Sequence, residues 1–405
     1  MRSSVAIGAL AAALAWAGSA AAQNKNVKIG ALSDQSSLYS DIGGPGSTLA
    51  AQMAVEDSGL TAGKGWKIDV ISADHQNKPD VGTSIARQWF DVDKVDVIVD
   101  VPNSGVALAV NNVVKDKNKV FLNSGAGTSD LTNKACTPNT IHWTYDTYAL
   151  ANGTGSALTK GGGDTWFFLT ADYAFGAALE RDTTNAVTKS GGKVLGTVRH
   201  PLNSPDFSSF LLQAQNSKAK VIGLANAGGD TTNAVKQAAE FGITQSGQTL
   251  AALLLFISDV HALGLNAAQG LTFTETFYWD MNDQTRAFAK KFAAKMKSGA
   301  MPTMVQAGVY SAVLHYLKAL DALGSNPDDG AKVVAKMKEM PTDDPLFGKG
   351  TIRADGRKIH PAYLFQVKKP GESKGPWDYY ITKATIPADQ AFRPLAESEC
   401  TLVKK

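Results

Sequence analysis

The stretch Val95-Asp96-Val97-Ile98-Val99-Asp100-Val101 is a β-branched run that stops at Pro102-Asn103-Ser104-Gly105 and leads into an apolar-periodic segment, Val106 to Val114. The order repeats at once. Val120-Phe121-Leu122 is apolar, and Asn123-Ser124-Gly125-Ala126-Gly127-Thr128-Ser129-Asp130 is a polar, glycine-rich loop that again reads as the opening of a helix. Strand, loop and helix alternating at this spacing are βαβ units, which predict a parallel sheet with helices on both faces.

Upstream, Val27 to Leu32 alternates as a strand, Ser33 to Gly46 is a glycine-rich loop, and Pro45 opens a helix with Leu49 and Met53 on one face. Lys67 to Ile71 is the next strand, and Pro79 opens a helix carrying Val81, Ile85 and Trp89. Downstream of Tyr148 the pattern restarts. Strands at Trp166–Leu169, Val194–Arg199, Val221–Leu224 and Leu250–Phe256 alternate with helices at Gly176–Thr188, Ser208–Gln215 and Asp230–Phe241. A strand at Leu271–Phe277, helices at Thr285–Met296 and Ala307–Leu323, and short strands at Tyr363–Val367 and Asp378–Ile381 follow. The expected architecture is α/β: two Rossmann-like lobes on parallel sheets, joined by a hinge of several crossings. Candidate crossings are Thr144–Leu150, Thr274–Tyr278 and Lys349–Arg357. Residues 23–146 plus 277–350 then form lobe one, 147–276 plus 351–390 form lobe two, and 391–405 form a C-terminal tail.

The chain has 405 residues, 44% hydrophobic, with 40 Lys and Arg against 37 Asp and Glu. That balance leaves no basic stripe for a nucleic acid or an anionic membrane, and the apolar fraction excludes general disorder. Met1-Arg2-Ser3-Ser4, an apolar run from Val5 to Ala17 and the small residues Gly18 to Ala22 form a secretory signal peptide, with cleavage expected after Ala22. A core helix or membrane anchor is the other reading of that run, which is too short to span a bilayer. Export to a bacterial periplasm puts Cys136 and Cys400 in an oxidising compartment, where a disulfide tying the tail back to the first half is the default. Two separate buried thiols are the alternative.

Chemistry is sparse. The six histidines lie at 75, 142, 200, 261, 315 and 360, without a local metal motif. Asp91, Asp93 and Asp96 lack a calcium-loop pattern, and Gly43-Gly44-Pro45-Gly46 is not a dinucleotide fingerprint. Neither cofactor nor metal is expected, and there is no positive case for an enzyme. The loops after the two quoted strands instead place Ser104 and the run Gly125, Ala126, Gly127, Thr128 at adjacent strand ends, where hydroxyls and helix N-terminal N–H groups suit a small carboxylate. Helix capping by Ser104 and Thr128 is the plain alternative. Tyr39, Tyr173, Phe175, Phe256 and Phe277 fall at other predicted strand ends and together suggest a flat apolar slot facing those loops.

The signal peptide, Lys28-Ile29-Gly30, Ile42 to Gly46, Ala50 to Asp57, Asn123 to Leu131 and Asp172-Tyr173-Ala174-Phe175-Gly176 occur in an order and spacing that resembles the type I periplasmic solute-binding proteins of ABC importers, of the branched-chain amino-acid-binding class. The resemblance covers essentially the whole chain. It implies two lobes closing on a small ligand, delivery to an inner-membrane permease, and a monomer. By position it gives the ligand carboxylate to Ser104 and the Gly125–Thr128 loop, and a lobe-two contact to Phe175. Amino-acid binders of the class hold the ligand ammonium with an acidic side chain from lobe two. Here Phe256 stands near that place, with Asp259 and Glu275 as the acidic candidates. An unpaired ammonium in a dry cleft costs several kcal/mol, so the sequence is similar to the branch associated with aromatic acids. Alternatives are a branched-chain or other amino acid, an amide or urea, and a ligand sensor for a membrane receptor.

Overall fold

A computed structural model describes residues 24–404, so the expected signal peptide lies outside the described residues. Strands β1 (Asn26–Ser33), β2 (Lys67–Asp74), β3 (Val97–Asp100), β4 (Val120–Asn123) and β5 (Thr140–His142) form a parallel sheet in the order β2-β1-β3-β4-β5. Strands β6 (Thr165–Ala171), β7 (Lys193–His200), β8 (Val221–Ala225) and β9 (Thr249–Ala252) form a second parallel sheet in the order β7-β6-β8-β9. The two units share one winding order, which is the α/β architecture read from the alternating pattern. The central strands β3, β4 and β8 are buried at every residue, as continuous Val, Ile, Leu and Phe runs require.

Three further groups of elements depart from the alternating pattern. β10 (Thr272–Glu275) pairs antiparallel with β14 (Ala362–Val367), and β14 with β15 (Tyr380–Ile386). β11 (Thr342–Asp344), β12 (Gly348–Ile352) and β13 (Lys358–Ile359) make a small antiparallel ribbon. The helix Gly330–Glu339 was not among the expected elements. The strand expected at Leu250–Phe256 ends at Ala252, because Phe256 already serves as the N-cap of the helix Ile257–Leu263.

Packing follows the two sheets. The helix Gly44–Ser58 lies on β1 and β2 and packs against the helix Met304–Leu323. Phe273, Tyr278, Phe365 and Tyr380 join the apolar core around β8 and β9. The chain passes between the cores near Trp143–Thr147, where two fully buried cations sit. The Arg357 guanidinium donates to the Thr144 carbonyl and pairs with Asp146 at 3.4 Å. The Lys358 ammonium lies 5.1 and 4.8 Å from the ring centres of Trp143 and Phe347, with Asp344 at 4.0 Å. The last residues run back over this region. Phe392 lies under Arg357 at 4.3 Å, Arg393 reaches Asp182 at 3.3 Å, Lys189 pairs with Glu397 at 3.2 Å, and Cys400 is disulfide-bonded to Cys136. No helix among the described residues is long and apolar enough to cross a membrane.

Candidate functional site

With the winding order β2-β1-β3 and β7-β6-β8, each sheet has a switch point where the loops leaving its first and third strands diverge and open a crevice. One narrow slot draws on both. From the first sheet come Tyr39 and Ile42 after β1, Pro102 after β3, Gly125 after β4 and Tyr145 after β5. From the second come Tyr173 and Phe175 after β6, Ala227 after β8, and Leu254 and Phe256 after β9. The slot is narrow, with about 240 Å³ of space counting the solvent at its mouth. None of its lining residues is charged.

The walls touch at the mouth. The Tyr39 and Tyr173 hydroxyls share a hydrogen bond of 2.6 Å, and burial keeps both phenols neutral by pushing them well above their ordinary value. Gly228, at φ +59°, passes so close to this loop that a Cβ would stand 2.8 Å from the Leu38 carbonyl oxygen; only glycine meets both constraints. Tyr145 donates to the Gly125 carbonyl at 2.5 Å and meets Phe256 edge-on at 6.0 Å. Gly127 packs beneath the aromatic wall, where a Cβ would be 2.8 Å from Phe175 and 2.9 Å from Tyr145.

The polar loops are more self-contained than their composition suggests. Asn103, not Ser104, caps the helix Ser104–Asp116, its Oδ1 accepting from the Gly105 and Val106 N–H groups at 2.9 and 3.1 Å. Ser104 Oγ accepts the Thr128 N–H at 3.2 Å, which leaves its own proton free to donate. Thr128 caps only a single 3-10 turn, Ser129–Thr132, in place of the helix expected there. Asn123 Oδ1 takes the Ala126 N–H at 3.1 Å. The Gly127 N–H donates to no acceptor among the described residues. Among the described residues of these loops the Gly127 N–H, the Ser104 hydroxyl and the buried Ser124 hydroxyl are left without an acceptor.

Of the ten residues expected at a ligand, Tyr39, Gly125, Tyr173, Phe175 and Phe256 line the slot. Ser104, Ala126, Gly127 and Thr128 form the loop layer behind it. Phe277 lies apart, in a core contact with Phe288 and Phe347 at 6.4 and 6.3 Å. The two acidic candidates are engaged elsewhere. Asp259 Oδ2 accepts the Phe256 N–H at 2.9 Å at its own helix start, and burial pushes its carboxyl up to about 7. Glu275 is buried in the second core, accepts from the Tyr380 hydroxyl at 3.0 Å, and is pushed well up by burial. Ile42, Pro102, Tyr145, Ala227 and Leu254 were not expected; their one signal is position just past a strand end.

Behind the slot, Asp182 joins the two sets of loops. Its Oδ2 accepts from Ser129 and Thr147 at 2.7 and 2.6 Å, and its Oδ1 takes Arg181 and Arg393 at 3.0 and 3.3 Å.

Residues 26–375 match the periplasmic binding protein family. Among solved structures, a periplasmic binding protein from Burkholderia mallei is 55% identical, with a TM-score of 0.89, covering 94% of this chain and 100% of that one. A branched-chain amino acid ABC transporter periplasmic ligand-binding protein from Burkholderia xenovorans is 43% identical, TM-score 0.82, covering 93% and 100%. A solute-binding protein of an ABC transporter from Rhodopseudomonas palustris, solved with benzoate, is 21% identical, TM-score 0.80, covering 93% and 99%, and shares the fold. Two like-wound parallel units meeting over one slot, and a family match across most of the chain, place this protein among the type I periplasmic solute-binding proteins of ABC importers, in the branched-chain amino-acid-binding family.

Proposed function

We propose that the chain captures a small aromatic carboxylate in the slot between two lobes and hands it, without chemical change, to an inner-membrane permease. It acts as an exported monomer with its signal peptide removed after Ala22. Lobe one carries the first sheet, with the helices Asp283–Lys295 to Gly330–Glu339 packed on it; lobe two carries the second sheet with β10, β14 and β15.

The observation that carries the ligand class is the lining itself: aromatic on both sides, with no charged side chain, while Asp259 and Glu275 are occupied elsewhere. An amino acid would leave its ammonium desolvated and unpaired, at a cost of several kcal/mol. A carboxylate without an amine carries no such cost; the Gly127 N–H and the Ser104 hydroxyl, one layer behind the lining, are the donors it would reach as the loops open, and its ring lies between Tyr145, Phe175 and Phe256. The benzoate-bound fold relative is consistent with that class of ligand. The Burkholderia xenovorans relative's name favours the alternative, a branched-chain amino acid.

Thermal-shift titration of the mature protein separates the two. Benzoate and hydroxybenzoates should raise Tm and leucine should not, with about 2.7 kcal/mol of stabilisation at a hundredfold excess over Kd. A shift with leucine alone refutes the aromatic reading.

A further inference from the structure

We propose that Asp100 makes ligand capture proton-linked: its carboxyl, buried directly behind Gly125, takes up one proton from solvent when an anionic ligand settles in the slot. The inference rests on the carboxylate reading above and adds to it a residue that touches no ligand.

Asp100 is fully buried at the end of β3. Its backbone and that of Val101 both lie at positive φ, +77° and +59°, a conformation that costs a β-branched residue in particular. The kink sets the carboxyl between the loops after β1 and β4. Oδ2 accepts from Ser33 Oγ at 2.7 Å, and that Ser33 oxygen in turn accepts the Gly44 N–H at 2.8 Å, so the hydroxyl proton is committed to Asp100. Oδ1 has no partner. A Cβ on Gly43 would stand 2.5 Å from Oδ2 and one on Gly125 would stand 2.5 Å from Oδ1, so the carboxyl fills the space that both glycines leave open. Gly125, a lining residue of the slot with Pro102 packed beside it, thus has Oδ1 directly against it.

The charged and titratable groups around it are anions and phenols. Asp34, on the loop after β1, lies close enough to repel; its burial opposes ionisation, but hydrogen bonds from Tyr39 N–H, Ser37 and Asn77 outweigh that and hold it ionised. Tyr145 faces Asp100 across Gly125 with its hydroxyl on the Gly125 carbonyl. His75 stands behind Asp34, with its Nδ1 on the Asn77 N–H. Asp230 and Asp259 belong to the second wall, their carboxyls raised by burial to about 6 and about 7. Among the described residues no cation acts on Asp100, and burial pushes it up to about 6 although Ser33 and Ser47 oppose this. A second carboxylate beyond Gly125 raises it further.

The test is isothermal titration of the mature protein with benzoate, which stays ionised throughout, from pH 5.5 to pH 7.5. Affinity should fall roughly tenfold across that range, as expected for a group whose proton affinity rises on binding. Titrations at pH 6.5 in buffers of different ionisation enthalpy should show uptake of roughly two-thirds to three-quarters of a proton per ligand, because a carboxyl at about 6 already holds about a quarter of a proton there. Asp100→Asn, which keeps the Ser33 bond and removes the charge, should bind with a flat pH profile and no uptake, whereas Asp230→Asn should keep the slope. A flat wild-type profile without uptake overturns the inference while leaving the aromatic-acid reading intact, as does a slope that survives in Asp100→Asn. If Asp100→Asn does not fold, Asp230→Asn and Asp259→Asn decide: uptake kept in both supports Asp100, and uptake lost in either overturns the inference. Absence of benzoate binding at every pH overturns the reading, and this inference with it.

Discussion

The hydroxyl pair at the mouth predicts a non-additive pair of mutations. Tyr39 leaves the loop after β1 and Tyr173 the loop after β6, so their 2.6 Å bond exists only while the two walls are in contact. When the walls part, both hydroxyls meet water. Removing one oxygen by Tyr39→Phe or Tyr173→Phe therefore leaves its partner buried and unpaired in the closed form alone. That costs about 1–3 kcal/mol, or roughly a 5- to 150-fold rise in Kd at about 1.4 kcal/mol per decade. Tyr173→Phe should be the worse, because it orphans Tyr39, which is only 2% exposed. Removing both oxygens leaves no unsatisfied group, so the double variant should recover to within about threefold of wild type. Calorimetric titration of the four proteins with the best thermal-shift ligand provides the cycle, and Tm of the unliganded variants should barely move. If the double variant is as weak as the sum of the singles, the hydroxyls contact the ligand rather than each other and the closure argument is wrong.

Three further outcomes follow from the buried polar groups and the tail. Cys136→Ser with Cys400→Ser should cost about 2–5 kcal/mol, since the bond closes a sequence separation of 264; an unchanged unfolding midpoint in denaturant would show that the noncovalent contacts of the tail suffice. Asp182→Ala takes the carboxylate from Arg393, leaves Arg181 with Asp130 alone, and frees two hydroxyls, and should lower urea stability by about 1–3 kcal/mol, against under 1 for an exposed pair such as Lys220–Asp164. Burial pushes the Lys358 amine down to about 8 although Asp344 opposes it. The unfolded chain then holds this proton more tightly than the native one, so the group's penalty is complete below pH 8 and is relieved as pH rises toward the ordinary lysine value. Lys358→Met should raise stability at pH 7 by an amount of the order of 3 kcal/mol and flatten the wild-type rise between pH 8 and 9.5; a less stable variant at pH 7 refutes this.

The parallel sheets were legible because each buried strand is a continuous apolar run and the runs recur with helices between them. β11 to β15 were less so, because strands such as Tyr380–Ile386 are mostly exposed and their pairing is set by tertiary contacts. In the slot, the aromatics at strand ends were legible one by one. Tyr145 and Leu254 were not, since an apolar residue past a strand looks the same whether it faces a core or a crevice. Phe277 shows the converse: it sits just past a strand end and packs inward on Phe288 and Phe347. The hydroxyls of Ser104 and Thr128 were read as open to a ligand, but local geometry gives each a backbone N–H within its own loop layer.

The Cys136–Cys400 bond also constrains the timing of maturation. A chain that enters the periplasm N-terminus first delivers Cys136 early and Cys400 among its last residues. Until Cys400 follows, 264 residues later, Cys136 is a lone thiol open to oxidants and to the cysteines of other exported chains. Any fusion placed at the C-terminus would sit next to the later cysteine, and would compete with the tail for Asn133 and Lys189, the residues on which it docks.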